Sequence, residues 1–461
     1  MGTLADFITQ HPAKRWLADR ATGYRRDIAR VYSEYVRLER ASVDEIEQYQ
    51  TRSLRWLLRA SQQSPYYKYC LDSFGVDPEQ FTLDDLGRFP FLTKKVMRQQ
   101  KERLRLPDAK GVYENYSGGS TGAPTRFWQD YPFKVHLSVA TRRCNEMAGA
   151  FPGARVAKLW GAPQDKKKIE GWRGRLKLWL LNQRYYDTFD MGHERMQEYH
   201  EAMHHFQPDL IQAYTSSLYL LARYLKSNGI RPDYPGIGMI AAAEKLSPHV
   251  RKAIEEVFPA RVFDRYGSRE VPAVAAECAC HNGLHIQMPG YIVETIDPAT
   301  EKPIEGKPGE IVVTALNNNA MPFIRYRIGD MGILTKKPCA CGMSYWRLEQ
   351  VIGRTSDNFL MPDGRIVHGE YFTHLFYGRE GIEQFQFVQE TRERFTLRIV
   401  PTLLYSRQVS DQIEREVREM IGHRSDLRVE IREEIPKAPS GKYRFTMSHV
   451  SLEELAGGRE G

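Results

Sequence analysis

The spacing of apolar residues predicts a helical lead-in followed by an α/β region. Residues 1–62 carry apolar side chains at helical spacing among charged ones. As far as residue 353, short apolar runs then alternate with helical stretches, an order typical of α/β proteins with largely parallel strands. The runs that predict these strands include RVAKLWG, LIQAYT, GMIAAAE and RVFDRYG.

The pattern becomes β-rich from HIQMPGYIVETIDP to RYRIGDMGILT, and a new order of predicted elements begins after Gly353-Arg354. Beyond that point FQFVQE, RFTLRIVP and LRVEIREE predict strands, and SDQIEREVREMIG predicts a helix. We therefore expect an α/β fold with two domains. Residues 1–353 form a large N-terminal domain with parallel sheets, and residues 354–461 form a small α+β C-terminal domain.

The composition is that of a globular protein that binds anionic ligands. Of the 461 residues, 41% are hydrophobic and 11% are aromatic, which is enough to bury a substantial core. The net charge of +8 fits a nucleotide ligand or a membrane surface. Because the sequence contains no nucleic-acid-binding motif, nucleic acid is not an expected partner.

The sequence predicts a cytoplasmic protein. Its N-terminus lacks the charged-then-apolar order of a signal peptide, and Asp6 occupies the position where a myristoylation signal has Ser or Thr. No apolar run approaches the roughly 18 residues that a membrane span needs. In a reducing compartment we expect the cysteines to be free thiols or metal ligands.

A glycine-rich segment, YSGGSTGAPT at residues 116–125, has the composition of a polyphosphate-binding loop. Glycine lets the backbone turn its amides toward an anion, and hydroxyl groups add further donors. The segment is not a Walker loop, because no Gly-Lys-Ser/Thr follows, and such runs also occur in plain flexible loops. The residues concerned are Ser117, Gly118, Gly119, Ser120, Thr121, Gly122 and Thr125.

Four motifs occur along the chain in this order: YSGGSTGAPT (116–125), DRYGSRE (264–270), IRYRIGD (324–330) with GRTSD (353–357), and PKAPSGK (436–442). Their order and spacing resemble the adenylate-forming enzyme superfamily. The branch that they look most like is that of the phenylacetate–CoA ligase-like proteins, particularly those among capsular polysaccharide biosynthesis proteins. The resemblance extends from about residue 50 to residue 448.

This resemblance implies an ATP site. The loop 117–122 would hold the β- and γ-phosphates, although Ala123 stands where many family members have Lys. In the string AAAEKL, residues 241–246, the nucleotide-facing positions would be Ala243, Glu244 and Lys245. A buried strand edge explains the alanines of this string equally well, but it does not explain the glutamate.

The resemblance also assigns roles in the later motifs. Tyr266 would stack on adenine, and Gly267 and Ser268, next to it in the turn, would also bind the nucleotide. Glu270 would coordinate Mg²⁺, a hard cation that prefers carboxylate and phosphate oxygens. The ribose hydroxyls would donate to the carboxylate of Asp330, and the same nucleotide would contact Arg354.

The segment 353–357 would be a hinge about which a mobile C-terminal domain rotates between half-reactions. Family members often place Asp or Lys two residues after the arginine, whereas this chain has Ser356 there and Asp357 next, so either is the candidate pivot. Catalysis of adenylation is assigned to Lys442, together with Glu270. A mobile ammonium group between two reacting anions stabilises the charge of the transition state.

Two Cys-x-Cys pairs predict a structural zinc site, because thiolate and imidazole suit tetrahedral Zn²⁺. The alternative is a set of free cytosolic thiols. Cys280 or His281 are substitutes for a member of the favoured ligand set. That set is Cys278, His285, Cys339 and Cys341.

Residues 165–186 combine basic residues with tryptophan, tyrosine and leucine. Two interpretations are open for this stretch. It is an amphipathic segment that makes a peripheral contact with a membrane surface, or it is a helix that covers the core and presents a solvated basic face.

These observations predict an adenylate-forming ligase that uses ATP and Mg²⁺. The first step activates a small-molecule carboxylic acid, and the second transfers the acyl group, with CoA as the first expected acceptor. An amine or a carrier-protein thiol is the alternative acceptor, and a non-catalytic nucleotide-binding assembly protein is the alternative of another class. The acid pocket is expected beside Trp160-Gly161, Tyr214–Ser216 and Ala241–Ala243, whose aromatic walls favour an aryl or small acyl group.

Overall fold

The computed structural model describes most of the chain. The described residues are 25–117, 125–160, 171–188, 191, 193–354, 358–363, 366–368, 372, 375–376, 379–436 and 445–450. Several predictions fall outside these ranges. They concern the lead-in before residue 25, the glycine-rich residues 118–122, the candidate pivots Ser356 and Asp357, and Lys442.

The described helices begin at residues that the sequence marks as caps. Ser42 forms a capping box with Glu45, and the side chains of Ser64, Asp130 and Ser247 each accept a hydrogen bond from the backbone amide three residues on. The helices are α1 (Arg25–Leu38), α2 (Val43–Ser61), α3 (Pro65–Ser73), α4 (Lys94–Gln99), α5 (Lys101–Leu104), α6 (Tyr131–Met147), α7 (Trp172–Leu180), α8 (His193–Phe206), α9 (Thr215–Ser227), α10 (Pro248–Glu255) and α11 (Arg407–Ile421), with a 3-10 helix at Asp84–Arg88.

The described strands belong to one large sheet and three smaller ones. The large sheet contains β3 (Val156–Leu159), β4 (Gln183–Tyr186), β5 (Leu210–Tyr214), β6 (Gly238–Ala242), β7 (Arg261–Tyr266), β8 (Ala275–Glu277), β9 (Leu284–Ile286), β10 (Tyr291–Ile296), β11 (Gly309–Ala315), β12 (Phe323–Thr335) and β13 (Arg347–Arg354). The others are β1 (Tyr113–Tyr116), β2 (Arg126–Gln129), β14 (Asn358–Leu360), β15 (Ile366–His368), β16 (Ile382–Gln389), β17 (Arg394–Pro401), β18 (Asp426–Ile431) and β19 (Thr446–Ser448).

The large sheet has the order β10-β11-β12-β13-β9-β8-β7-β6-β5-β3-β4 and is mixed. The pairs β4–β3, β3–β5, β5–β6 and β6–β7 are parallel, as the alternation of strands and helices predicts. From β7 to β9 and from β10 to β12 the pairing is antiparallel. The α/β fold class is confirmed. The prediction of largely parallel strands holds only for the first half, because the β-rich stretch extends the same sheet with antiparallel strands.

The parallel strands are buried on both faces. Every residue of β5 and β6 is buried, which explains why their sequences are almost continuously apolar. In an open α/β sheet, ligands bind at the carboxyl ends of parallel strands. Here that edge carries Trp160 after β3, Tyr214 at the end of β5, Ala243 after β6 and Tyr266 at the end of β7.

The chain divides into two compact units, Met1–Ile352 and Gly353–Gly461. The second unit has a four-stranded sheet in the order β18-β17-β16-β19, with α11 packed into the same core through Ile413, Val417 and Ile421. Within the described ranges, every helix falls short of the length or the hydrophobicity that a transmembrane span requires.

Candidate active site

The glycine-rich segment joins the two strands of a hairpin. β1 and β2 pair antiparallel, and the last pair in the register is Tyr116 with Arg126. Beyond it, the Ser117 amide donates to the Thr125 carbonyl at 2.8 Å, and the Thr125 amide donates to Ser117 Oγ at 2.8 Å. Both residues are buried. Ser117 and Thr125 therefore close the neck of the loop, and one lone pair of the Ser117 hydroxyl is already engaged.

Two tyrosine–carboxylate hydrogen bonds cross between the DRYGSRE and IRYRIGD motifs. The Tyr266 hydroxyl donates to Asp330 Oδ2 at 2.8 Å. In the opposite sense, the Tyr326 hydroxyl donates to Glu270 Oε1 at 3.0 Å. Each motif thus supplies one tyrosine and one carboxylate, and each tyrosine positions the carboxylate of the other motif.

The β1–β2 hairpin is attached to the end of the DRYGSRE motif. Gln129, in β2, donates its side-chain amide to the backbone carbonyls of Arg269 and Glu270, each at 3.2 Å. Three of the four motifs found in the sequence therefore meet within the first unit. No role for Gln129 or Tyr326 is evident from the sequence, although Tyr326 lies inside one of the motifs.

Glu270 meets the requirements of a magnesium ligand. Its side chain is buried, with the residue only 3% exposed. Tyr326 engages one carboxylate oxygen, and within the described part of the chain no hydrogen bond reaches the other. A buried carboxylate with an available oxygen is a favourable donor to a hard divalent cation.

The turn after β7 depends on Gly267 and Ser268. A Cβ atom at Gly267 would lie 2.7 Å from the backbone nitrogen of Ala273 and 3.0 Å from the Val271 carbonyl oxygen, so no other residue fits without a backbone shift. The Ser268 amide donates to the Val271 carbonyl, and the Val271 amide donates to Ser268 Oγ. These two predicted nucleotide-binding residues therefore also shape the turn that carries Glu270.

The AAAEKL turn is held against the start of α9. Ala243 has a φ of 70°, a left-handed conformation that is unfavourable for a residue with a Cβ atom. Glu244 Oε2 accepts a hydrogen bond from the Ser216 amide at 2.7 Å, and the Glu244 carbonyl accepts one from Thr215 Oγ1. A carboxylate in the first turn of a helix is electrostatically favourable. Glu244 thus has a structural task that the sequence did not indicate.

Asp264 is a third residue to which the sequence pattern gave no role. It lies in β7 two residues before Tyr266, and its backbone amide donates to Glu277 Oε2 at 2.9 Å. Burial, followed by the nearby Glu277 carboxylate, raises the pKa of Asp264 to about 7. The Arg251 guanidinium and, to a smaller extent, the ammonium group of Lys245 in the AAAEKL turn oppose this rise.

An aromatic pair marks the predicted acid pocket. The ring centroids of Trp160 and Tyr214 are 4.2 Å apart, with the planes tilted by 35°. Because Leu159 is in register with Ala213, and Tyr214 with Ala242, these rings and the AAAEKL turn lie at neighbouring strand ends. Of the remaining predicted residues, Arg354 ends β13, and its side chain lies outside the described part, as does Lys442.

The structure brings the four favoured zinc ligands together. The ligand atoms of Cys278, His285, Cys339 and Cys341 all lie within 4.8 Å of one another. The sulfurs of Cys278 and Cys339 are 3.8 Å apart, and the sulfur of Cys341 is 3.3 Å from His285 Nε2. Sulfurs bound to one tetrahedral zinc, at about 2.3 Å each, are separated by about 3.8 Å. The donor set and its spacing therefore fit zinc.

The surroundings of His285 suit a metal ligand as well. Its Nδ1 lies 3.2 Å from the Tyr345 carbonyl oxygen, which favours a proton on Nδ1 and leaves Nε2 facing Cys341. Burial lowers the pKa of His285 to about 4, so the imidazole is neutral at physiological pH. Cys280 is exposed and lies outside the four-residue cluster.

Comparisons with known proteins identify relatives for both units. The family model described as the CapK C-terminal domain matches residues 359–449. Phenylacetate-coenzyme A ligase of Thermus thermophilus is 29% identical over 306 residues, which cover 64% of this chain and 67% of the relative. Protein CapK of Staphylococcus aureus is 23% identical over 394 residues, covering 84% of this chain and 85% of the relative.

A solved structure shares the fold of nearly the whole chain. The crystal structure of 2-hydroxyisobutyryl-CoA ligase in the postadenylation state, in complex with R3-HIB-AMP, gives a TM-score of 0.73 at 19% identity, covering 91% of this chain and 92% of the other. The chain therefore has the fold of an adenylate-forming ligase and is similar in sequence to proteins of that class. Within that class the similarity is to the phenylacetate-coenzyme A ligases and to protein CapK, as the four sequence motifs predict.

Proposed function

We propose that this protein activates a carboxylic acid with ATP and transfers the acyl group to CoA. In the first step a carboxylate oxygen attacks the α-phosphorus of ATP, which forms an acyl-adenylate and releases pyrophosphate. In the second step the CoA sulfur attacks the acyl carbon, which forms a thioester and releases AMP. The crossed pairs Tyr266–Asp330 and Tyr326–Glu270 are the observation that carries this proposal.

The crossed pairs suit a bound magnesium nucleotide. The Tyr266 ring stacks on adenine while its hydroxyl keeps Asp330 oriented to accept hydrogen bonds from the ribose hydroxyls. Glu270, positioned by Tyr326, would hold Mg²⁺, which neutralises phosphate charge when bound. The loop that Ser117 and Thr125 close supplies backbone amides and hydroxyls to the β- and γ-phosphates.

The C-terminal unit supplies the cation for adenylation. Two anions, the carboxylate and the α-phosphate, approach each other in this step, and the Lys442 ammonium group stabilises the charge between them. The hinge at residues 353–357, with Arg354 at its start, lets this unit enter the site for one half-reaction and leave it for the other. The division of the chain after Ile352 supports a hinge at this position.

An aryl or small acyl acid fits the site best. Trp160 and Tyr214 form an aromatic wall at the same sheet edge as the nucleotide residues. Aromatic rings favour flat, apolar groups. Relatives named phenylacetate-coenzyme A ligase support an arylacetic acid as the first compound to test.

We also propose that the Cys278, His285, Cys339 and Cys341 cluster holds a structural Zn²⁺ ion. These four residues would supply all the ligands of a tetrahedral zinc ion, so no position would be open for catalysis. The ion would attach the loop around Cys339 to the segment that leads into β9. Its contribution is to folding rather than to chemistry.

The test of the adenylation proposal is acid-dependent exchange of labelled pyrophosphate into ATP, measured over a panel of aryl and short aliphatic acids with Mg²⁺. Exchange with at least one acid establishes adenylation and identifies the acid class. CoA, an amine panel and a carrier-protein thiol are then added in turn, and thioester formation with CoA alone establishes the acceptor. If no acid in the panel supports exchange and the protein does not bind ATP, the result supports the non-catalytic alternative.

A further inference from the structure

Helix α7 presents a large apolar face to solvent. Trp172 is 67% exposed, Leu176 is 46% exposed and Trp179 is 56% exposed. At three and four residues apart these side chains lie on one face of the helix. Gly174 is the only buried residue of α7 and lies on the opposite side. The side of α7 that carries Trp172, Leu176 and Trp179 therefore does not pack against the core.

Basic residues border the apolar face on both sides. Viewed down the helix axis, Arg175 falls on one flank, and Arg173 and Lys177 fall on the other, because successive residues are rotated by about 100°. All three are exposed, and the guanidinium of Arg173 lies 5.3 Å from the centroid of the Trp172 ring. An apolar stripe with cations along both edges is the pattern of a helix that lies in a membrane interface.

The position of α7 leaves this face accessible. The helix precedes and contacts β4, which is the edge strand of the large sheet. From Trp172 to Tyr186 the sequence contains four basic residues and no acidic residue. The chain as a whole has 66 basic and 58 acidic residues, so the excess of basic over acidic residues is far greater in this segment than in the rest of the chain. This excess favours an anionic partner.

We propose that α7 docks the protein on an anionic lipid bilayer. Trp172, Leu176 and Trp179 enter the interfacial region, where tryptophan is favoured, and Arg173, Arg175 and Lys177 face the lipid phosphates. A bilayer is favoured over a second copy of the chain because a copy would place like charges against each other. The contact is peripheral and is independent of the proposed function, since it involves none of the nucleotide-site residues.

The test is co-sedimentation of the full chain with vesicles of phosphatidylcholine alone and of phosphatidylcholine mixed with phosphatidylglycerol. We expect binding to the anionic vesicles that weakens as salt is raised, because salt screens the charges. The double variants Arg173→Glu/Lys177→Glu and Trp172→Ala/Trp179→Ala should each reduce the apparent vesicle affinity by at least about tenfold.

Matched controls lie on and beside α2. Trp56 is 51% exposed, and Arg40 and Arg52 are exposed. Trp56→Ala and Arg40→Glu/Arg52→Glu should leave vesicle binding unchanged, and circular dichroism should show that every variant is folded. Absence of wild-type binding, or binding that either α7 double variant leaves intact, overturns the proposal. So does a concentration-dependent dimer that the tryptophan variant abolishes, because that result assigns the face to a second copy.

Discussion

The residues of the proposed nucleotide site act in pairs. Tyr266 and Asp330 form one pair, and Tyr326 and Glu270 form the other. The motifs therefore contain residues that position the carboxylates as well as residues proposed to contact the nucleotide or the metal. A carboxylate held by a hydroxyl donor keeps a fixed orientation and does not pay that ordering cost when its ligand arrives. The two pairs sit on the same two chain segments and differ in which proposed ligand they serve.

Removing one hydroxyl at a time separates the two tasks. In Tyr326→Phe the carboxylate of Glu270 loses its only described hydrogen bond, so we expect the Mg²⁺ concentration for half-maximal pyrophosphate exchange to rise about tenfold. In Tyr266→Phe, by contrast, the KM for ATP should rise while the Mg²⁺ requirement stays the same. Steady-state exchange at varied Mg²⁺ and ATP measures both, and an identical effect of the two variants would contradict these separate roles.

Arg325 has a structural role within the IRYRIGD motif. Its guanidinium forms two hydrogen bonds with Glu294 and further ones with the carbonyls of Gly87 and Phe89, and it lies 4.2 Å from the centroid of the Phe91 ring. Arg325 is buried, and burial raises the pKa of Glu294 despite the ion pair. Arg325 therefore holds β12 against the 3-10 helix and the residues that follow it.

Arg325→Ala should strongly destabilise the first unit. The substitution leaves the Glu294 carboxylate buried without its partner, which costs about 3–5 kcal/mol. Arg88→Ala is the control, because its ion pair with Asp85 is accessible to solvent and should contribute far less to stability than the buried pair. Denaturant unfolding followed by fluorescence measures both values. If both variants lose the same small amount of unfolding free energy, the Arg325 network does not determine stability.

At the scale of elements, the candidate zinc site joins segments that are distant in sequence. Cys278 and His285 lie before and within β9, whereas Cys339 and Cys341 lie in the loop between β12 and β13. The same loop reaches the N-terminal helices, since the Tyr345 hydroxyl donates to the Tyr35 carbonyl and the Ser344 amide donates to the Glu39 carbonyl. A metal here would therefore hold together three parts of the first unit.

Zinc content distinguishes the proposed ligand set from the neighbouring thiol. We expect about one zinc per chain by elemental analysis, and loss of zinc together with a lower melting temperature in Cys278→Ser. Cys280→Ser is the matched control and should keep both the metal and the melting temperature, because Cys280 is exposed and outside the cluster. Wild-type protein that is prepared with zinc and yet lacks it would exclude the site.

At the scale of the whole molecule, the two units have separate cores. The second unit is packed around phenylalanines, among them Phe359, Phe385, Phe387 and Phe395, and its sheet shares no strand with the large sheet. A unit with its own core can fold and move as a body. The proposed division of labour follows, with nucleotide contacts in the first unit and the adenylating lysine in the second.

Lys442→Ala tests this division. We expect pyrophosphate exchange to fall at least about 100-fold, because the charge between the reacting anions is no longer stabilised. Thioester formation from a supplied acyl-adenylate and CoA should persist, and the unfolding profile should match that of the unmodified protein. Lys437→Ala, in the same PKAPSGK motif, should retain exchange. Near-normal exchange by folded Lys442→Ala would remove the lysine from the mechanism.

The sequence alone indicated the α/β class, the parallel strands β3, β5, β6 and β7, and the resemblance to the adenylate-forming enzymes. These properties depend on local periodicity and on short motifs, in which neighbouring residues are constrained together. The sequence also indicated which cysteines and which histidine to consider as metal ligands, since thiolate and imidazole are recognisable by type. It did not indicate how the β-rich stretch joins the sheet, because strand pairing between distant segments leaves no local pattern.

Only the tertiary structure decided how these residues are used. Contacts between distant segments, such as Tyr326 with Glu270 or Glu244 with Ser216, arise from folding and have no local signature. The same holds for the outward face of α7, because periodicity shows that a helix has an apolar side but not whether that side is covered. Composition and motifs thus determined the class of chemistry, and long-range packing determined which side chains position, fasten or face solvent.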